Sequence, residues 1–269
     1  MSKIYYIPQD EEQKDLLQLD SIMQEKRASE RLIVLLLGSG GRESAMAWRI
    51  ATSPEVEQLY IAPGNGGSEI YGINVPELSG KDFDAIAEFI TSHGVNLLVS
   101  GPEEPLVQGI ADYFAERKED FPHLMVVGPN AQGAQLEGSK DFSKAFMQRY
   151  GIPTASYRTF AANEKSEAVA YLQTLHPPFV LKADGLAAGK GVLIVPTLEE
   201  AAEGFDDLAE GIWGSKGQKI VIEEFLQGIE CSIFVATDGV NYKVLPAAKD
   251  YKRIGDGDMG PNTGGMGSV

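Results

Sequence analysis

The chain has 269 residues, 43% hydrophobic and 23% charged, with 23 basic against 39 acidic side chains and a net charge of −16. A length of this order accommodates about two domains, each large enough to bury its own core. The charge excludes long-range attraction to nucleic acid or anionic membranes, yet a small polyanion remains a feasible ligand wherever a few lysines and glycine amides share one cleft. No run of about 18 apolar residues is present, so no transmembrane helix is expected. The N-terminal MSKIYYIPQDEEQKD lacks the apolar segment and cleavage site of a secretory leader. The single cysteine, Cys231, fits a reducing, cytoplasmic setting.

Residues 1–30 are polar, with seven acidic residues between Asp10 and Glu30, and are expected to form an N-terminal extension. Leu32 to Leu37 is a continuous apolar run, as a strand buried on both faces of a parallel sheet requires. Gly38-Ser39-Gly40-Gly41-Arg42-Glu43 follows and leads into a helical pattern. Leu59–Ile61 is a second strand, closed by Pro63-Gly64-Asn65-Gly66-Gly67. A helix opens near Asp82, Leu97–Val99 is a strand, Pro105–Glu116 a helix, and Leu124–Val127 another strand. This alternation predicts an α/β domain with a parallel sheet. Ala131–Tyr150 reads as mostly helical and is stopped by Gly151-Ile152-Pro153. Beyond it, strands near Tyr157–Phe160, Phe179–Lys182, Val192–Val195, Ile220–Glu224, Ser232–Ala236 and Tyr242–Leu245 outnumber the helices Glu164–Leu175 and Leu198–Glu210. That balance predicts an α+β domain with a largely antiparallel sheet. The last twenty residues read as loop, and Cys231 as a buried strand residue. His93, His123 and His176 lack metal spacing and read as surface or helix-end residues.

A strand, a glycine loop and a helix form a phosphate-binding geometry, because free amides and the positive helix end face the anion. The dinucleotide fingerprint is not met: Glu43 stands where its last glycine belongs, and Ile61-Ala62-Pro63 replaces the acidic residue that would hold a ribose. A different phosphate ligand or a tight structural turn remains. The loop Gly101-Pro102-Glu103-Glu104-Pro105 lies at the end of the third strand, where open α/β sheets bind ligands.

In the second half, Lys182-Ala183-Asp184-Gly185-Leu186-Ala187-Ala188-Gly189-Lys190-Gly191 joins two strands. It is not a Walker A loop, since a strand follows instead of a helix. A hairpin tip of Gly and Ala with exposed amides suits a lid over a triphosphate. Lys182 ends an apolar strand, where a lysine is costly unless paired with an anion; a phosphate is the simplest partner, and a side chain reaching to the surface is the alternative. Gly138-Ser139-Lys140-Asp141 opens a helix with another lysine. Ile220–Glu223 runs into Glu224-Phe225-Leu226, then Gly228-Ile229-Glu230, an order suited to an adenine slot with a ribose-binding acid.

Gly-Ser-Gly-Gly-Arg-Glu at 38–43, Ala-Pro-Gly-Asn at 62–65, Gly-Pro-Glu at 101–103, Gln-Leu-Glu-Gly-Ser-Lys at 135–140, the 182–191 run, Ile-Glu-Glu-Phe-Leu at 222–226, Lys252-Arg253 and the 260–267 run together resemble the ATP-grasp superfamily and, within it, the phosphoribosylamine–glycine ligase family. The resemblance covers Leu32 to Val269. It implies a Rossmann-like, parallel-sheet pre-ATP-grasp domain over 31–137 and an incomplete α+β ATP-grasp domain over 138–269, with 158–224 as its lid subdomain. It implies an ATP-dependent joining of glycine to 5-phosphoribosylamine through a glycyl phosphate, in purine biosynthesis. Lys140 and Lys182 would then hold the ATP phosphates, and Gly185, Gly189, Lys190 and Gly191 would cover them. Glu223, Glu224, Phe225 and Leu226 would read adenine, and Glu230 the ribose. Gly38, Gly40, Gly41, Arg42, Glu43, Gly64, Asn65 and Glu103 would bind phosphoribosylamine. Lys252, Arg253 and Asn262 would act at the transfer site, bordered by Pro261, Thr263, Gly264 and Gly265.

The partners implied are small molecules (ATP, glycine and 5-phosphoribosylamine), with no nucleic acid or membrane; the sequence does not speak to oligomeric state. The resemblance places the Mg²⁺ ligands beyond Val269 and none within this chain, so little or no ligase activity is expected of the 269 residues alone. Ser44 departs from a usual histidine, Gln108 from a frequent lysine, and Glu104 from a small or acidic residue. A formate- or bicarbonate-using ATP-grasp enzyme and a nucleotide-binding remnant without turnover are the alternatives.

Overall fold

The computed structural model describes residues 31–186, 191–212, 218–257 and 259–269, with Pro261, Asn262 and Gly264 described through their backbone. The expectations for 1–30, Gly189 and Lys190 lie outside these residues. The chain divides into two compact units, the first ending at Ala134 and the second running from Gln135 to Val269.

The first unit holds a five-stranded parallel sheet in the order β3-β2-β1-β4-β5. Its strands are β1 (Leu32–Gly38), β2 (Val56–Pro63), β3 (Ile73–Asn74), β4 (Leu97–Ser100) and β5 (Met125–Val127). Helix α1 (Gly41–Ala51) lies on one face and α2 (Phe83–His93) with α4 (Ile110–Glu116) on the other. Alternation along β1 explains its unbroken apolar text. Val34 and Leu36 pack with Ala47, Leu59 and Ile61, while Leu35 and Leu37 pack with Ile86, Leu98 and Phe114. All four of these β1 side chains are fully buried. Asp82 caps α2 by accepting the Ala85 amide, and Gly94, in the left-handed region, ends it.

The expected helix 105–116 is two pieces, α3 (Glu104–Val107) and α4, because Gly109 adopts φ +92° between them. Because β1 has β2 on one side and β4 on the other, the chain reverses direction across the sheet here. The 38–43 and 101–105 loops leave the C-terminal ends of β1 and β4, at the position where open α/β sheets form a crevice.

The expected helix 131–150 is likewise divided, into α5 (Ala131–Gly138), within which the first unit gives way to the second, and α6 (Lys140–Arg149). Ser139 stands between them with extended backbone, and its hydroxyl caps α6 by accepting the Phe142 amide. The sheet β6-β9-β7-β8 is antiparallel throughout. Its strands are β6 (Tyr157–Phe160), β7 (Phe179–Ala183), β8 (Val192–Val195) and β9 (Ile220–Glu223). Helices α7 (Lys165–Leu172) and α8 (Leu198–Glu210) cover one face through Leu172, Phe205 and Leu208, packed on Phe160, Leu181, Ala183, Ile220 and Ile222. The pleat sends the intervening residues to the other face. Register pairs Glu223 with Val180 and with Tyr157, and Lys182 with Val221. Lys182 and Glu223 therefore share the face without helices α7 and α8.

The tail departs from expectation. Strands β12 (Asp250–Gly255) and β13 (Met259–Ser268) pair antiparallel where loop was expected. A backbone ladder holds them, which glycine-rich text without apolar alternation does not advertise. Strands β10 (Val235–Thr237) and β11 (Tyr242–Val244) pair separately, and of the strand expected from Ser232 only a bridge to Ala248 precedes β10. Cys231 is exposed, not buried, since no strand or covering layer includes it. Among the described residues no helix is long and apolar enough to cross a membrane.

Candidate functional site

Each unit carries a group of polar side chains at loop ends. In the first, Gly38 to Glu43 passes from β1 into α1, with Gly40 as N-cap. Glu43, grouped by sequence with the ligand-binding residues, is only 6% exposed and lies against the loop, where its Oε2 accepts the Gly40 amide at 2.6 Å. Room for it comes from glycine: a Cβ on Gly38 would stand 2.4 Å from Glu43 Cγ, and one on Gly101 2.2 Å from Oε1. The carboxylate thus fixes the loop from inside, while the first-turn amides of α1 remain at the strand end.

Arg42 ties this loop to the next by donating to the Gly101 carbonyl and to Glu103 Oε1, both at 2.9 Å. Burial raises the Glu103 pKa, but its own backbone amide and the Arg42 guanidinium outweigh this and hold it below the ordinary carboxylate value. Asn65 supplies a third tie. Its Nδ2 donates to the Ser39 and Gly40 carbonyls, and its Oδ1 accepts from Ser44 Oγ and from the Gly67 and Ser68 amides. Gly64, at φ +76°, turns the chain into this loop, and a Cβ there would meet Asn74 Oδ1 at 2.1 Å. The fully buried Ser68 donates to Asn74 Oδ1, and Asn74 Nδ2 donates back to the Asn65 carbonyl. Ser68 and Asn74 escaped the sequence reading because small polar residues carry no distinguishing pattern, and Ser44 entered it only as a departure from a usual histidine.

In the second unit, α6 and the open face of the β6–β9 sheet bring three lysines to two carboxylates. Lys140 Nζ donates to the Gly185 carbonyl at 2.8 Å, at the root of the β7–β8 hairpin. Lys182 Nζ lies 2.6 Å from Glu223 Oε1. It approaches as an ion pair without hydrogen-bond geometry, so that buried oxygen still lacks a donor. Lys144, one turn after Lys140 and absent from the sequence reading, lies 2.8 Å from Glu223 Oε2. Asp184 accepts from Ser139 Oγ and the Asp141 amide, joining the hairpin to the start of α6. Burial, with a smaller contribution from the Lys182 charge, holds the Lys140 pKa below the ordinary lysine value against the opposing pull of Asp184. The two lysines therefore feel each other's field. The sequence reading expected a phosphate as the partner of Lys182; in the structure a carboxylate of the same sheet, Glu223, stands there.

The remaining candidates fall elsewhere in this unit. Glu224 accepts from the Ser156 amide and hydroxyl, while Phe225 and Leu226 are 38% and 63% exposed. Glu230 pairs with Lys252 at 2.6 Å, and Asp250 also approaches that ammonium at 3.3 Å. The hydrogen bond to Glu230 raises the Lys252 pKa. Arg253 donates to the Gly260 carbonyl, Thr263 Oγ1 to the Lys252 carbonyl, and the Gly265 amide to Thr263 Oγ1. Asn262 is opposite Arg253 in the β12–β13 ladder. The Gly191 carbonyl accepts the Ala183 amide at the hairpin base. Among the described residues no hydrogen bond or ion pair joins the Lys252 group to the Lys182 group. Nor could any group of three or more His, Cys, Asp or Glu among them hold a metal ion.

Comparison with known proteins follows this geometry. The N domain of phosphoribosylglycinamide synthetase matches residues 32–137, and its ATP-grasp (A) domain matches residues 138–269. The chain belongs to this family. It is 49% identical over 238 residues to a phosphoribosylamine–glycine ligase of Ralstonia nicotianae, a match covering 87% of this chain and 54% of the relative. A Nostoc phosphoribosylamine–glycine ligase is 47% identical over 237 residues, with the same coverage. The chain thus spans about half the length of the curated relatives it matches. Among solved structures, phosphoribosylamine–glycine ligase from Thermotoga maritima superposes with a TM-score of 0.70 at 40% identity, covering 88% of this chain and 55% of that one. An N5-carboxyaminoimidazole synthase from Aspergillus clavatus, solved with ADP and 5-aminoimidazole ribonucleotide, gives a TM-score of 0.61 at 15% identity, covering 84% and 55%. That likeness is one of fold.

Proposed function

We propose that the second unit binds ATP, that the first binds the phosphate of 5-phosphoribosylamine, and that both serve an ADP-forming ligase that makes glycinamide ribonucleotide. The observation that carries the reading is the convergence of Lys140 and Lys182 on the root of the β7–β8 hairpin, with Glu223 behind them. Lys140 and Lys182 take the β- and γ-phosphates, and the hairpin of the 158–224 lid covers them. The Glu224–Leu226 backbone reads the adenine edge. Glu223 Oε1, which lacks a hydrogen-bond donor, accepts from the exocyclic amine, and exposed Phe225 and Leu226 contact the ring. Glu230 is assigned to the ribose, with Lys252, Arg253 and Asn262 at the transfer site.

In the reaction, a glycine carboxylate oxygen attacks the γ-phosphorus and the bond to the β-phosphate breaks, releasing ADP. The amine of phosphoribosylamine then attacks the acyl carbon, the carbon–oxygen bond to phosphate breaks, and the nitrogen gives up a proton. Positioning and charge neutralisation carry such steps more than a protein nucleophile does, and a closed hairpin excludes water from the acyl phosphate. The family also implies Mg²⁺. Among the described residues no group of three or more His, Cys, Asp or Glu could hold it.

Nucleotide binding is tested by thermal shift. ADP at about 100 times its dissociation constant should add about 2.7 kcal/mol of stability, and Lys182→Met should abolish the shift. No response to ADP or ATP would refute the nucleotide assignment. Comparing glycine, formate and bicarbonate as acceptors of the γ-phosphate in the complete protein decides the substrate.

A further inference from the structure

We infer that Lys144 is a positioning residue of the nucleotide site: held beneath Glu223, it keeps that carboxylate from neutralising Lys182, so that Lys182 presents its charge to an anion. The inference rests on the reading of Lys140 and Lys182 as phosphate ligands. Lys140 and Lys144 are four apart on α6, a spacing that places them on one helix face. They meet different surroundings. The Lys144 side chain is 8% exposed; its ammonium donates to Thr154 Oγ1 at 2.8 Å and the Ala155 carbonyl at 3.3 Å, and lies 2.8 Å from Glu223 Oε2. The Tyr157 ring closes the enclosure, its centroid 5.4 Å away. An ammonium so enclosed is not presented to a ligand.

Lys182 differs, with 28% exposure and contact to the other oxygen of Glu223, Oε1. Glu223, 6% exposed, therefore lies between a satisfied lysine and an open one. Glu223 is thus shared between two ammonium groups, with Lys144 at its Oε2 and Lys182 at its Oε1. Without Lys144, the carboxylate and Lys182 would satisfy one another, and an arriving phosphate would have to break that pair. A buried ion pair is often no more stabilising than an apolar pair of the same volume, so fold stability alone gives this lysine little purpose.

The test uses the 269-residue chain and two ligands that share adenine and ribose, ADP and adenosine, each titrated calorimetrically. Their affinity ratio isolates the phosphate contribution. Lys144→Met should lower that ratio by at least about tenfold, as loss of a charge-assisted contact does, while Lys144→Met/Glu223→Gln should return it to near the wild-type value whatever the melting temperature. A lowered melting temperature with an unchanged ratio, or a double variant that stays defective, would overturn the inference and leave Lys144 a structural ion pair. Should Lys144→Met not fold, Glu223→Gln alone decides: the ratio is expected to hold or rise, and a fall overturns the idea. If wild type binds ADP and adenosine equally, the phosphate reading itself has failed, a result distinct from either of these and equally fatal to the role of Lys144.

Discussion

Glu43 and Gly101 show how close packing beneath a loop sets its shape. The carboxylate occupies the space that a side chain at Gly101 would need, and it is buried and bonded to the Gly40 amide. Gly101→Ala should force Glu43 away and leave that amide unpaired, destabilising the first unit by about 1–3 kcal/mol, as measured by urea unfolding; an unchanged midpoint would contradict the packing argument. Lys140 yields a prediction of pH dependence. Its pKa in the folded chain lies below the ordinary lysine value, chiefly through burial. The unfolded chain therefore keeps the proton longer, and stability from this group rises with pH through that window. A bound phosphate reverses the shift, so ADP binding should take up a proton there and weaken as pH climbs, before ordinary lysines titrate near pH ~10. Calorimetry in buffers of different ionisation enthalpy reads the proton directly. Lys140 and Lys182 were visible in sequence because a lysine at a helix start and one ending an apolar strand stand out. Lys144 was not, since a lysine within a polar helix reads as solvent-facing until a carboxylate is shown beneath it.

At the level of elements, burial separates strong from weak structure. β9 is buried along its whole length between β6 and β7, whereas β10 and β11 are exposed throughout. Amide exchange should therefore be slowest at Ile220–Glu223 and much faster from Val235 to Val244; equal protection would show that a covering layer exists in solution. Thr197 caps α8 by accepting the Glu200 amide, and Thr197→Ala should cost about 1 kcal/mol by thermal denaturation. The same contrast governs what sequence could show. β1, β7 and β9 were readable because buried strands must be apolar, and α8 because its apolar positions recur with helical period. The break at Gly109 and the β12–β13 pairing were not, as both follow from backbone conformation in text that carries no hydrophobic rhythm.

Across the whole molecule, the change from alternating strands and helices to a strand-rich second half gave the two kinds of sheet, since parallel strands need crossover helices and antiparallel ones need only turns. Which residues share a sheet face was set by register, and register is where Glu223 acquired Lys182, while Lys144 comes to it from α6. Net charge supplies a further expectation. With −16 on the chain, a nucleotide approaches against repulsion that fades as the screening length falls from about 30 Å at 0.01 M salt to about 8 Å at 0.15 M. Association of a fluorescent ADP analogue, followed by stopped flow, should quicken over this range; slowing would mean that local lysines dominate the encounter. The bond from Lys140 to the Gly185 carbonyl carries a mechanical consequence. An ammonium has three protons and this contact employs one, so an oxyanion can be gripped by the other two without releasing the backbone. Ligand arrival would then stiffen the hinge of the flap instead of freeing it, making the same nitrogen both anchor and latch.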